Sequence, residues 1–339
     1  MTLHPAEPPR LSLACLPTPL VDLPNLARRL GVPRVLLKRD DLTGLELSGN
    51  KIRKLEYLLA EAKAQGCDTL VTNGGYQSNH CRATAAAGAR AGMKVRLILR
   101  APPGGVPAAL VGNLLLDRLF GAELTLHPPD VYAARRDELI ASAMAELRAV
   151  GRRPYFFPVG GSVPLGSWGY IRCVDELVRQ LPPGQAVDLF VAVSSSGTLA
   201  GLALGRALLK ADRLRIVGVP VSDKLELFRP DVTAIVRDTI ERFGFDLAPA
   251  DVAFDLLDGF IGEGYAIPTP QGQTTLKLLA EAEGILLDPV YTAKAMAGFL
   301  HAVESGYTRA GATPLFVHTG GVFGLLARPD LFGADWSGR

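Results

Sequence analysis

Cysteine is scarce and unpatterned in this chain. Cys15, Cys67, Cys81 and Cys173 are the four among 339 residues, and no two stand at C-x-x-C spacing. That excludes a disulfide framework and a zinc site, and it points to reduced thiols and a cytoplasmic setting. No stretch approaches the roughly 18 uncharged apolar residues of a spanning helix, so no membrane association is expected. The first twenty residues carry five prolines and no unbroken apolar run, unlike a signal peptide. Charge of one sign is lacking too: 36 Lys plus Arg face 34 Asp plus Glu, a net +2. Between 134 and 153 the arginines come as R-R-D and G-R-R, short clusters on a wet helix face, so nucleic-acid binding is not expected. There is no G-x-S-x-G hydrolase elbow, no internal repeat, no linker and no low-complexity segment.

What is present is a globular composition, 48% apolar and 21% charged, long enough for about two domains. Strand and helix patterns alternate. Strands are expected at 35–38, 69–72, 94–99, 122–126, 155–159, 187–193 and 215–219. Helices are expected at 78–91, 107–120, 132–150, 166–180 and 198–209, with a long helical region from 231. Such alternation implies α/β architecture with parallel sheets and right-handed crossovers.

Ligands in such sheets collect where strands end and helices begin. Four junctions are rich in small polar residues. T-N-G-G-Y-Q-S-N-H, 72–80, opens a helix whose free N–H groups suit a carboxylate, although Ser78 or Asn79 also reads as an ordinary N-cap. S-S-S-G-T-L-A-G-L, 194–202, follows a strand and can wrap a phosphate or form a tight turn; it is neither G-x-x-x-x-G-K-[ST] nor G-x-G-x-x-G. P-V-G-G-S-V-P-L-G-S-W-G-Y, 158–170, and H-T-G-G, 318–321, are the others. His318 has no second His or Cys at ligand spacing and reads as structural, so no metal is expected. His80 reads as an interior or rim histidine rather than a base.

The segment 39–59, R-D-D-L-T-G-L-E-L-S-G-N-K-I-R-K-L-E-Y-L-L, sets Lys51 behind a Gly-Asn turn at the start of a helix. Ile52, Leu55, Leu58 and Leu59 form that helix's apolar face. A lysine in a partly dry site can lose its proton and form a Schiff base with an aldehyde. The plainer alternative is that Lys51, Arg53 and Lys54 form a solvated first turn.

Eight motifs in order settle the balance: L-P-T-P-L (16–20), K-R-D-D-L-T-G (38–44), S-G-N-K-I-R-K-L-E-Y-L-L (48–59), N-G-G-Y-Q-S-N-H (73–80), P-V-G-G-S (158–162), S-S-S-G-T-L-A-G-L (194–202), G-I-L-L-D-P-V-Y (284–291) and H-T-G-G (318–321). Together they resemble the pyridoxal-phosphate enzymes of the tryptophan synthase β-like fold, in the branch holding D-cysteine desulfhydrase and 1-aminocyclopropane-1-carboxylate (ACC) deaminase. The resemblance implies two open, twisted parallel-sheet domains, a larger one of residues 1–51 and 161–339 and a smaller one of 52–160. It implies pyridoxal 5′-phosphate joined to Lys51, with Asn50 beside it and Asn79 on the 3′ oxygen. Ser194, Ser195, Ser196, Gly197 and Thr198 would cradle the phosphate, and Thr319 would face the pyridine nitrogen. Ser78, with Asn79 and His80, would hold the substrate carboxylate, and Ser78 would help move protons. Tyr265, Tyr291 and Thr292 would line the substrate pocket.

ACC deaminases carry Glu and Leu where this chain has Thr292 and Thr319. A hydroxyl withdraws electrons through the ring less than a carboxylate partner does, which suits loss of hydrosulfide better than opening a cyclopropane. Ser48 and Ser196 stand where the family has Gly. The implied reaction is elimination on a small amino acid, D-cysteine first, with cysteate or ACC as other substrates and a non-catalytic cofactor carrier as a third reading. A homodimer is what the family suggests.

Overall fold

The computed structural model describes residues 6–102, 104–105 and 109–331. Strands β1 (Leu20–Asp22), β2 (Leu36–Lys38), β7 (Val187–Val193), β8 (Leu214–Pro220), β9 (Asp255–Leu256) and β10 (Thr313–Val317) form one sheet in the order β1-β2-β10-β7-β8-β9. Strands β3 (Thr69–Gly75), β4 (Lys94–Arg100), β5 (Glu123–His127) and β6 (Pro154–Phe156) form a second, ordered β5-β4-β3-β6. All pairings are parallel except β1 with β2. The near-continuous apolar run of β7, almost wholly buried, is what a strand covered on both faces requires.

Helices α1 (Pro24–Leu30), α2 (Lys51–Ala64), α3 (Asn79–Ala91), α4 (Gly112–Leu119), α5 (Pro129–Ala149), α6 (Pro164–Gln180), α7 (Gly197–Leu208), α8 (Leu225–Phe243), α9 (Pro270–Glu283), α10 (Thr292–Glu304) and α11 (Val322–Leu326) cover the sheets. Among the elements that depart from the sequence expectation are β3, α4 and α8. Strand β3 continues through Asn73, Gly74 and Gly75, because β4 pairs with it along its full length. Helix α4 begins at Gly112 rather than 107; residues 107–108 lie outside the described residues, and 109–111 are not helical. Helix α8 begins at Leu225, six residues ahead of 231, and carries Pro230 inside its second turn, where one missing N–H is the cost.

One core cluster runs from α2 and α3 through α6 and α7, so side chains from both sheets' coverings share it. Helices α2 and α6 approach so closely that a Cβ on Gly169 would lie 2.6 Å from the carbonyl of Arg53. Between them lies a buried ionic network. Arg53 bonds Asp40 at 2.8 Å and Glu176 at 2.8 Å, Lys38 bonds Glu176 at 2.7 Å, and the Tyr170 hydroxyl donates to Asp40 at 2.7 Å. These cations hold the Asp40 carboxyl below its usual range despite complete burial.

Candidate active site

The loops following β3, β7 and β10 and the turn before α2 enclose a cavity of about 320 Å³. Lys51 is its centre. The chain reaches Lys51 through Gly49 at φ +109, where a Cβ would lie 2.7 Å from the Thr319 carbonyl oxygen, so only glycine fits. The turn is held from several sides. The Thr43 hydroxyl bonds both the N–H and the C=O of Gly49, Ser48 Oγ donates to Asp41 O, and the Asn50 N–H donates to Thr319 O. Asn50 Nδ2 donates to Thr198 Oγ1 at 3.1 Å. Ser48, in place of glycine, thus gains a hydrogen bond.

Among the described residues no acid neutralises Lys51, and burial pushes its amine down to about 8. Next to it stand two fully buried basic residues. Arg53 and Lys54 are 1% and 0% exposed, so the solvated-turn reading fails. Lys54 Nζ donates to Gly160 O at 3.2 Å and Ser162 Oγ at 3.3 Å, and Ser162 Oγ donates on to Ser195. Burial, then repulsion from Lys51, holds the Lys54 amine far below its usual value. This basic group behind the 194–198 loop escaped sequence reasoning, because its partners lie over 100 residues away.

In that loop, Ser194, Ser195, Ser196 and Thr198 line the cavity, while Gly197 sits behind it as the first residue of α7. Ser196 has φ +62, and its buried hydroxyl has no partner among the described residues. Helix α7 turns its free N–H groups the same way. A buried amine without an acid, an orphaned hydroxyl and a helix N-terminus form the donor set that an aldehyde bearing a phosphate would satisfy. Pyridoxal phosphate fits these residues.

On the facing wall, Ser78 caps α3, its Oγ accepting from the Cys81 N–H at 3.2 Å, and it lines the cavity as well. Asn79 and His80 line it too. The Thr72 hydroxyl donates to Phe157 O, so it accepts from His80 Nε2–H at 2.9 Å. His80 Nδ1 is therefore an unprotonated, buried acceptor without a partner among the described residues, and burial, then Lys51 and Lys54, keep the ring neutral. His318 is likewise fixed: Nδ1 accepts from Gly320 N–H and Nε2 donates to Leu286 O, which tethers the Thr319 turn.

Tyr265 and Tyr291 both line the cavity, with hydroxyls 2.8 Å apart. Burial pushes both phenols upward, so both stay protonated at neutral pH. Arg100, at the end of β4, also lines the cavity, and its guanidinium carbon lies 5.1 Å from the Tyr265 ring centre. Thr319 lines the cavity, but Thr292 does not. Thr292, expected to line the substrate pocket, is fully buried. Adjacent helical side chains diverge, so when Tyr291 faces the cavity Thr292 turns inward. There its hydroxyl donates to Asp288 Oδ1 at 2.7 Å, and Asp288 also accepts the N–H groups of Val290, Tyr291 and Thr292 at the start of α10.

Among the described residues no group of three His, Cys, Asp or Glu side chains is placed to hold a metal ion, and no helix is long and apolar enough to cross a membrane.

Residues 11–320 match the family model described as "Pyridoxal-phosphate dependent enzyme". A D-cysteine desulfhydrase of Yersinia enterocolitica is 41% identical over 329 residues, covering 95% of this chain and 96% of that protein. One from Salmonella typhi is 39% identical over 331 residues, covering 96% and 97%. A solved structure titled as an ACC deaminase homologue superposes with a TM-score of 0.87 at 35% identity, covering 98% of this chain and 99% of that one.

Proposed function

Since the chain belongs to the pyridoxal-phosphate dependent enzymes, we propose that its cavity carries out α,β-elimination of D-cysteine. D-cysteine and water become pyruvate, ammonia and hydrogen sulfide. The observation that carries this reading is the pair of protonated phenols, Tyr265 and Tyr291, sharing a cavity with an unpaired buried amine. The relatives named D-cysteine desulfhydrase support it.

Lys51 would hold the cofactor, with Asn50 and Thr319 fixing the turn that presents it. Ser194, Ser195, Ser196, Gly197 and Thr198, backed by Lys54, would hold its phosphate, and Asn79 its 3′ oxygen. Bound pyridoxal phosphate supplies an electron sink for the pair left at Cα. The Ser78 hydroxyl, whose oxygen already accepts from Cys81, has its proton free to donate to the substrate carboxylate, beside the open N–H groups of α3. Lys51 Nζ, with its basicity lowered to about 8, takes the Cα proton. Tyr265 and Tyr291 pass a proton to the departing sulfur. The smaller unit of 52–160 and the larger of 1–51 with 161–339 close around this site, in a cytoplasmic homodimer within the same proposal.

Arg100 favours a second reading. Among the described residues its guanidinium has no carboxylate partner, and it faces the cavity over Tyr265. A fixed cation there suits a β-substituent already anionic, such as the sulfonate of cysteate. Purified enzyme offered D-cysteine, L-cysteine, cysteate and ACC, with keto acid measured, tests both. D-cysteine is expected to give the highest kcat/KM with sulfide released. A higher value for cysteate would move the assignment to the second reading, and a higher value for ACC would overturn both.

A further inference from the structure

Asn113 is fully buried near the start of α4, outside the cavity lining. Its side-chain Nδ2 donates to Gln77 O at 2.9 Å and to Asn79 Oδ1 at 2.9 Å, and its Oδ1 accepts from Arg82 Nε at 3.3 Å. A backbone carbonyl can only accept and a guanidinium can only donate, so the Asn113 amide has one orientation. Asn79 must then offer Asn113 an acceptor, its oxygen. The Asn79 Nδ2 group has no partner among the described residues, and the cavity that Asn79 lines is the space open to it. The same Arg82 donates to Glu46 O and to Ser48 O, in the turn that carries Lys51. The Gln77 side chain closes the arrangement by accepting the Asn113 N–H at 2.9 Å.

We propose that Asn113 is a positioning residue that sets the polarity of Asn79, so that this wall of the cavity presents a donor and selects an oxyanion. That oxyanion is the ring oxygen of the cofactor; the inference rests on Asn79 facing it. An inverted Asn79 amide would aim its own oxygen at the same point, replacing a charge-assisted hydrogen bond with repulsion.

Asn113→Asp is close to isosteric and can only accept where the amide donated, which draws the Asn79 NH₂ toward it and turns its oxygen into the cavity. The measurement is the dissociation constant of pyridoxal phosphate for cofactor-stripped protein, by equilibrium dialysis, in a double-mutant cycle. Asn79→Ala and Asn113→Asp are each expected to weaken binding about tenfold or more, the scale of one hydrogen bond to a charged group. The double variant should bind no more weakly than Asn79→Ala alone, because Asn113 acts only through Asn79. Equal losses from Asn113→Asp in both backgrounds would make it a structural support of the 77–79 turn and overturn the proposal. If Asn79→Ala leaves affinity unchanged, the placement of Asn79 on the ring oxygen falls, and the inference falls with it, while elimination by Lys51 stands. Should Asn113→Asp fail to fold, Asn113→Ala serves in the same cycle: it frees Asn79 to adopt both orientations, so a loss confined to the background that retains Asn79 supports the proposal, and a loss of equal size without Asn79 sinks it.

Discussion

A lysine amine titrating near 8 leaves a signature in the stability of the protein freed of cofactor. Lys51 titrates at about 8 folded against 10.5 unperturbed. Below about 8 both states carry the proton and the cost of burying it is fully present. Between 8 and 10.5 the unfolded chain holds a proton the folded chain has released, so stability rises with pH across that window. Lys51→Met should flatten this part of the profile. Urea midpoints of stripped wild type and variant at pH 7 and pH 10 check it, and parallel profiles would contradict the burial argument. Ser196 offers a second residue-scale test. Its φ of +62 is a conformation glycine adopts freely, so Ser196→Gly should stabilise the stripped protein by about 1 kcal/mol. Its orphaned hydroxyl should at the same time be missed by the phosphate, so cofactor should dialyse out faster. A variant stabler yet equally retentive would show the hydroxyl idle.

The contacts that sequence reasoning did not reach are those between residues distant in the chain. K-I-R-K reads locally as a wet turn, yet Glu176 neutralises Arg53 across 123 residues and Ser162 meets Lys54 across 108. Nothing near Asn113 announces that it touches Asn79. Thr292 lies off the cavity because the rotation of one residue along α10 takes its side chain to Asp288.

At the scale of elements, the alternation of strands and helices was legible because apolar periodicity is local, as at Val187–Val193, where expected and observed bounds coincide. The extension of β3 over Gly74 and Gly75 was not, because β4 on its flank, rather than any propensity of glycine, makes it strand. The turn before α2 is the element on which the site most depends. Gly49→Ala would force a Cβ to within 2.7 Å of Thr319 O at a left-handed φ. We expect a loss of about 2–3 kcal/mol in stability and a poorly seated Lys51. Chemical denaturation gives the first, and borohydride trapping of cofactor on the Lys51 peptide gives the second. Trapping at wild-type yield would mean that the turn tolerates the shift.

The whole molecule depends on charges that have been withdrawn from water. Arg53→Met would leave Asp40 and Glu176 short of partners beneath α6. Breaking a buried pair from one side costs about 3–5 kcal/mol, far more than a surface bridge such as Arg135 with Glu138. Because Arg53 holds the Asp40 carboxyl low, its contribution is present above the ordinary aspartate value and is lost as pH falls through the folded one. The gap between wild type and variant should therefore be full at pH 7 and narrow well below the ordinary aspartate value, as thermal melts at pH 7 and about pH 2.5 would reveal. An equal melting shift at both would leave the network without its assigned role.

The close approach of α2 and α6 at Gly169 has a mechanical consequence. The turn bearing Lys51 opens α2, while Ser78 caps the helix that follows β3 of the other sheet. Gly169 is where α6 leaves no room for a side chain beside the Arg53 carbonyl of α2. A methyl group added there would wedge the helices apart and widen the aperture without altering any side chain that touches a ligand. Such an enzyme would keep its preferences among substrates yet bind all of them more weakly, as a vice loosened by a turn still has the same jaws.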